Sequence, residues 1–411
     1  MNELRRWGIA LAAILVQMGL GAVYAWSVFR IPISKLFHST IANVTLTFTI
    51  AIFVMGFAAF FGGLWLNRRG PRIVVLTAGL LYGGGIFLAS FSNGLPWLYA
   101  TYGLIGGIGL GFGYIVPISV LVKWFPDRRG LMTGVAVGGF GAGALVTASV
   151  ATRLIQSVGV LHTFAYLGVA YLIVVCGAGW FMTNPPAGWQ PSGWTPKPLQ
   201  ASQRSARDFR LGEALRTWQW WALWLLLFLN TSAGISVISQ EAPMFQELAK
   251  VTAIVAAGMV GVVSLGNAIG RVFWAWVSDG ITRRYTFAVM YLLQVALFWL
   301  LPSVHTVGGL TVVTFIILMC YGGGFGTMPA FVADYFGARN VGPIYGLMLT
   351  AWGFASAFGP LMIAHMRQSS GGYETGLHVI AAIMAVSIVM PLMVRPPKVS
   401  GEPVVVEAAA R

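Results

Sequence analysis

Gly63-Leu64-Trp65-Leu66-Asn67-Arg68-Arg69-Gly70-Pro71-Arg72 and Ala275-Trp276-Val277-Ser278-Asp279-Gly280-Ile281-Thr282-Arg283-Arg284 stand 212 residues apart and match in character: an apolar run ends in a tight, strongly basic turn. The same shift lays Pro117 on Pro329, Gly130 on Gly342 and Gly134 on Gly346. One offset that serves three separate places reads as two copies of one structural unit.

Working outward, the runs that feed these turns are too apolar for water. Of the 411 residues 57% are apolar and only 9% charged, and the mean hydropathy is +0.79. A soluble domain has no interior large enough for that surface, which excludes a soluble enzyme. The 52 glycines fit a lipid solvent, where helices associate through close backbone approach.

A bilayer core needs about 20 apolar residues per helix. On that measure twelve runs span it, at approximately 7–29, 43–66, 73–92, 97–121, 131–155, 160–182, 219–240, 252–277, 286–303, 309–333, 342–365 and 375–394. The expected fold is an all-α membrane protein of twelve transmembrane helices in two pseudo-symmetric six-helix halves. The halves are 1–182 and 219–398, joined by a polar linker at 183–218 that carries Asn184-Pro185-Pro186, Arg207 and Arg210, with a tail at 399–411. Met1 to Arg6 lead into an apolar run without a small-residue cleavage site, which reads as a retained first helix.

The net charge of +14 raises the question of an acidic partner. With the N-terminus cytoplasmic, Lys and Arg gather in the cytoplasmic loops; only Arg30, Lys35, Arg153, Lys250 and Arg367 fall outside and only Arg271 inside a span. The positive-inside rule therefore accounts for the charge without nucleic acid, and it places both termini in the cytoplasm of a multi-pass plasma membrane protein, the inner membrane in a bacterium. Cys176 and Cys320 lie in apolar runs, without a disulfide framework or metal-ligand spacing, and no cofactor is called for. Gly107-Ile108-Gly109-Leu110-Gly111-Phe112-Gly113 follows no strand, so it reads as helix packing and not as a dinucleotide loop. His38, His162, His305 and His365 sit near span ends and read as interfacial polar residues.

The acid and arginines at the foot of the eighth span resemble the loop signature of the major facilitator superfamily. In that family the acid caps helix ends and steadies a gating state. Asp279, Arg283 and Arg284 carry the pattern here; in the first copy Asn67 replaces the acid beside Arg68 and Arg72. The stretch Trp124-Phe125-Pro126-Asp127-Arg128-Arg129-Gly130-Leu131-Met132-Thr133-Gly134, continuing to Gly143, resembles the fifth-span signature of the monocarboxylate transporter family, with Asp127 where a Lys is usual. The segments at 184–191 and 213–224 are similar to the bacterial oxalate:formate exchanger branch. These resemblances imply transport of a small organic anion by alternating access.

Arg271 is the most informative single residue. Its repeat-mate is Ala59, so the twofold pattern breaks there. An Arg in mid-span costs at least ~2.5–3.5 kcal/mol unless it finds a partner. Eight residues, about 12 Å, separate it from Asp279, and a snorkelling side chain covers roughly half of that. A planar guanidinium matches a carboxylate bidentately, and exchangers of this family have an Arg at this place. Their second cation, a Lys in the eleventh span, corresponds to Trp352 here, so one positive charge suits a monocarboxylate better than oxalate.

Asn267, one turn before Arg271, shares its face and replaces an acid usual in monocarboxylate transporters. Tyr114, Asn230 and Tyr321 are expected at comparable depth, and the resemblance puts each in the cleft. Tyr24 falls in a first-span segment like that of the family, while Trp352, Leu145 and Leu349 would wall the organic tail. None of the acids falls at the middle of a span, which leaves Asp334 and His378 as candidates for carrying a proton. Two other classes of protein would need features of their own. A membrane enzyme needs a nucleophile with a base, or a metal, and a sensor needs an output domain; the sequence displays neither. The expected function is movement of a lactate- or pyruvate-like monocarboxylate with a proton, or else carboxylate exchange of the oxalate:formate type, with the lipid bilayer as surroundings and no obligatory protein partner.

Overall fold

The computed structural model describes residues 2–186, 188–195 and 207–397; residues 1, 187, 196–206 and 398–411, which include part of the expected linker and the tail, lie outside it. Twelve helices are long and apolar enough to cross a membrane: α1 Leu4–Leu36, α2 Asn43–Arg69, α3 Pro71–Ala89, α4 Leu95–Trp124, α5 Arg129–Val158, α6 Val160–Gly179, α7 Trp218–Ala249, α8 Gly258–Ile281, α9 Arg283–Ser303, α10 Val307–Phe336, α11 Val341–Ser370 and α12 Glu374–Met393. Each expected span has its helix.

The differences lie at the ends. α1 is longer than hydropathy indicated and contains a 3₁₀ turn at Ala22–Trp26, with Pro32 near its far end. α7 runs nine residues beyond the expected limit of 240, because the segment after it keeps helical residues while losing apolar ones. That extension carries Glu241 into the helix, where only 4% of it is exposed and Oε1 lacks a partner.

Helix starts follow local chemistry. The Thr40, Thr217 and Thr306 hydroxyls accept from backbone N–H groups in the first turns of α2, α7 and α10, and Thr252 accepts from the Val255 N–H at the head of the helix Ala253–Ile281 that contains α8. The turn between α2 and α3 takes Gly70 at φ 81°, a conformation glycine adopts without strain. Its repeat-mate Thr282 stands at φ 86° between α8 and α9, where a β-branched residue is strained.

Within each half the helices approach through small residues, as lipid provides no hydrophobic drive between them. Gly107 lies against α2, Gly109 against α3 and Gly111 against α2 again, which accounts for the alternating glycines of α4. Large apolar side chains such as Phe61, Leu80, Trp276, Leu361 and Val386 point outward.

The halves meet along two seams that run to the end of the bundle carrying the linker. On one, α5 lies on α8: a Cβ on Gly134 would stand 2.5 Å from the Arg271 carbonyl, and Gly141 faces Ala268. On the other, α2 lies on α11: a Cβ on Gly346 would stand 2.5 Å from the Ala59 carbonyl, and Gly63 abuts Gly342. The pairs Gly134–Arg271 and Gly346–Ala59 are related by the 212-residue offset, so the pseudo-symmetry of the sequence is the pseudo-symmetry of the interface.

Candidate functional site

Between the seams lies Arg271, fully buried. Its backbone sits between Gly134 of α5 and Gly326 of α10, which leave no room for a side chain, and this fixes where the guanidinium begins. The side chain stays in the interior instead of snorkelling. Nε donates to Asn267 Oδ1 at 3.3 Å, and Nη1 donates across the interface to the Val137 carbonyl at 3.2 Å. The guanidinium carbon lies 5.3 Å from the centre of the Phe325 ring. Nη2 is buried and has no partner. No carboxylate contacts this cation among the described residues.

Around it stands a cage of rings drawn from both halves. Phe140 meets Tyr24 at 5.2 Å and Tyr114 at 5.3 Å, both edge-on, and Trp352 lies 6.3 Å from Tyr24 and 6.4 Å from Tyr114. Phe325 joins Trp352 at 4.9 Å and Tyr321 at 5.3 Å. Tyr24, Tyr114 and Tyr321 all lie within electrostatic reach of the guanidinium. The Tyr24 and Tyr114 hydroxyls are buried without a hydrogen bond. A cation with one unpartnered nitrogen, ringed by tyrosine hydroxyls and, among the described residues, by no acid, has a donor set that suits an anion.

Of the residues singled out from sequence, Arg271, Tyr114, Tyr321, Tyr24, Asn267 and Trp352 are thus brought together. Asn230 is not turned to the cation: its amide nitrogen donates to the Tyr321 carbonyl at 3.1 Å and its oxygen accepts from Gln294 at 2.8 Å, so its polar atoms are consumed inside the second half. Leu349 is fully buried, whereas the Leu145 side chain lies outside the described residues. Sequence reasoning missed Phe140, Phe325 and Tyr345. Tyr345, at the start of α11, is fully buried with an unbonded hydroxyl. Its repeat-mate is Thr133, and that unlike pair is the kind of signal that exposed Arg271 against Ala59.

The linker end holds a second polar centre. Asp279 of α8 accepts the Gly130 N–H at 3.0 Å and the Leu131 N–H at 2.8 Å, closing the first turn of α5 in the other half. Arg283 ion-pairs with Asp279 at 2.7 Å and with Asp334 at 3.1 Å, and it also donates to the Ser278 hydroxyl. Arg129 reaches Asp334 at 2.9 Å. Asp127 pairs with Arg6 at 3.3 Å and Arg128 at 3.6 Å. On the opposite seam Asn67 donates to Asn340 at 2.8 Å, and Asn340 in turn donates to the Phe209 carbonyl of the linker at 2.7 Å. Arg68 is exposed, Arg72 lies over the Trp180 ring at 4.9 Å, and Arg284 lies over Tyr285 at 5.6 Å.

The two proton candidates stand apart from the cage. Asp334 is held between two arginines. His378, at the start of α12 and the far end of the bundle, stacks on Trp299 at 4.2 Å. Among the described residues no cluster of metal-ligating side chains occurs, and Cys176 and Cys320 are free thiols.

Two six-helix halves closing on one buried cation define a membrane transporter. The chain belongs to the Major Facilitator Superfamily, whose sequence profile matches residues 9–360 and 259–410. It is 27% identical over 400 residues to the oxalate:formate antiporter of Oxalobacter formigenes, across 96% of this chain and 93% of that protein. It is 29% identical over 357 residues to the uncharacterized MFS-type transporter YhjX of Escherichia coli, across 85% and 86%. Human monocarboxylate transporter 1 is 30% identical over 205 residues, 49% of this chain and 38% of that one. The outward-conformation crystal structure of the transporter FucP superposes with a TM-score of 0.72 at 16% identity, covering 93% of this chain and 97% of that one. The human organic anion transporter MFSD10 gives 0.74 at 13%, covering 94% and 99%.

Proposed function

We propose that this transporter moves a small monocarboxylate, of the lactate or pyruvate kind, together with a proton, across the bacterial inner membrane by alternating access. The observation that carries the reading is Arg271: a fully buried guanidinium with one unpartnered nitrogen and, among the described residues, no acid beside it. A buried cation lacking a counter-charge is costly, and a singly charged guest neutralises it. The planar fork fits a carboxylate, while Trp352 and Phe325 supply apolar wall for a short tail. The rocking units are the halves 1–182 and 219–398, with both termini cytoplasmic as the Lys and Arg distribution directs.

Moving one anion inward against 100 mV costs about 2.3 kcal/mol, which a co-transported proton cancels. The substrate's own carboxyl is one carrier of that proton, since Asp334 and His378 stand away from the cage. The second reading is carboxylate exchange of the oxalate:formate type without proton coupling, favoured by the antiporter relative that spans nearly the whole chain.

Proteoliposomes decide between them. Lactate uptake driven by an inward proton gradient into empty vesicles supports symport; uptake only into vesicles preloaded with a carboxylate supports exchange. In either format Arg271→Ala abolishes uptake while the protein still inserts, and undiminished transport by that variant refutes the assignment.

A further inference from the structure

We infer that Tyr345 and Tyr114, one from each half, form the subsite that reads an oxygen on the carbon next to the carboxylate, restricting the cargo to 2-hydroxy and 2-oxo acids. This rests on the monocarboxylate reading and goes further by assigning a role to a residue outside the expected site.

The Tyr345 and Tyr114 hydroxyls stand side by side, within the field of Arg271. Both residues are fully buried, and each hydroxyl interacts only with the other, without a well-formed hydrogen bond to any third group. Each offers one O–H and two lone pairs, and a buried hydroxyl left empty is costly. The carboxylate already has its counterpart, because Arg271 Nη2 has no well-formed partner and the Tyr24 hydroxyl lies beside the same guanidinium. A plain carboxylate brings two oxygens and cannot fill the tyrosine pair as well. A third oxygen, one carbon away, can.

The pairing suits either oxidation state. A keto oxygen accepts from both O–H groups, while a hydroxyl donates to one tyrosine and accepts from the other. The two rings are fixed differently: Tyr114 lies edge-on to Phe140 at 5.3 Å, and Tyr345 rides on the opening turn of α11, whose Gly346 is pressed to the Ala59 carbonyl. The subsite is complete only while α2 and α11 are together, so it also links recognition to closure of that seam.

A site built to bond a substrate oxygen rejects the analogue lacking it far more strongly than an apolar pocket rejects a missing methylene. Equilibrium binding of lactate, pyruvate and propionate to purified wild type, Tyr345→Phe and Tyr114→Phe tests this. Wild type is expected to favour lactate and pyruvate over propionate by at least roughly tenfold. Tyr345→Phe is expected to bring all three within about twofold with propionate affinity unchanged, which also shows that the variant is folded, and Tyr114→Phe is expected to lose the preference for lactate and pyruvate as well. Equal binding of the three acids by wild type overturns the inference and leaves the monocarboxylate reading standing. Loss of propionate binding in step with lactate in both variants overturns it too, since a reader of the third oxygen spares the plain acid. Failure of wild type to bind any of the three, with oxalate bound instead, removes the underlying reading.

Discussion

Asp279 ends α8 of the second half by closing the first turn of α5 in the first half: its two carboxylate oxygens accept the N–H groups of Gly130 and Leu131 at 3.0 and 2.8 Å. The cap is charge-assisted, falls at the positive end of a helix dipole, and joins the two halves. The related seam cannot copy it. The counterpart of Asp279 is the neutral Asn67, and the counterpart of Leu131 is Pro343, which has no N–H to give. Acceptor charge and donor are missing together, and Asn67 bonds the Asn340 side chain instead.

Asp279→Ala is therefore expected to loosen the linker-end closure. Losing a helix cap costs about 0.5–2 kcal/mol, or roughly a 2- to 30-fold shift in the balance between closed and open forms. Thiol labelling of a cysteine placed on the linker-end face of α5 should accelerate accordingly. Asn67→Ala, which breaks one exposed neutral bond, should stay within about 0.5 kcal/mol of wild type.

Trp352 packs against Phe325 and Tyr24 in the ring cage around Arg271. Trp352→Lys is expected to weaken lactate binding, because the Phe325 and Tyr24 rings lose a neighbour. It should also raise the affinity for oxalate, since two cations balance a dicarboxylate. A competition assay with labelled lactate and unlabelled oxalate reads both changes, and an oxalate affinity that does not move contradicts the charge argument.

Arg271→Lys keeps the charge and loses the fork. The expected penalty is about 1.5–3 kcal/mol, the worth of a charged hydrogen bond, seen as at least a tenfold loss of lactate affinity. Full retention would mean that the cation acts as a point charge.

Thr282 holds φ 86°, and its hydroxyl is buried without a partner. Thr282→Gly, which copies Gly70 at the related turn, removes both defects. It should stabilise the detergent-solubilised protein by about 1 kcal/mol, visible as a higher Tm.

Glu213 caps the short linker helix Leu211–Leu215, where the Arg210 N–H donates to its carboxylate at 2.7 Å. That bond, with the nearby Arg207, Arg210 and Arg216, holds the carboxyl below the usual range for Glu. A depressed value means that the ionised form supports the folded helix. The support is present above the ordinary Glu range and is lost as pH falls through the lower folded value. The protection of amides 211–215, relative to their intrinsic exchange at each pH, should fall on acidification, and in Glu213→Gln that pH dependence should be absent.

The twelve spans, the pairing of halves and the isolation of Arg271 follow from the sequence alone. Apolar length is a one-dimensional property, and a fixed offset between copies survives in the chain as glycines, prolines and basic turns at matching positions. Even the refusal of a dinucleotide loop at 107–113 needs only the absence of a strand beside it. What the tertiary structure decided is which polar tips converge. Asn230 and Tyr321 have similar depth on paper, yet a neighbouring helix takes the first for its own carbonyl while the second faces the cation. Tyr345 looks like any aromatic at a helix start until α11 closes on α2 and carries it to Tyr114, a residue of the other half. Depth along a helix is written in residue count; direction across an interface is set by how closely two backbones approach, and that distance exists only once the halves have met.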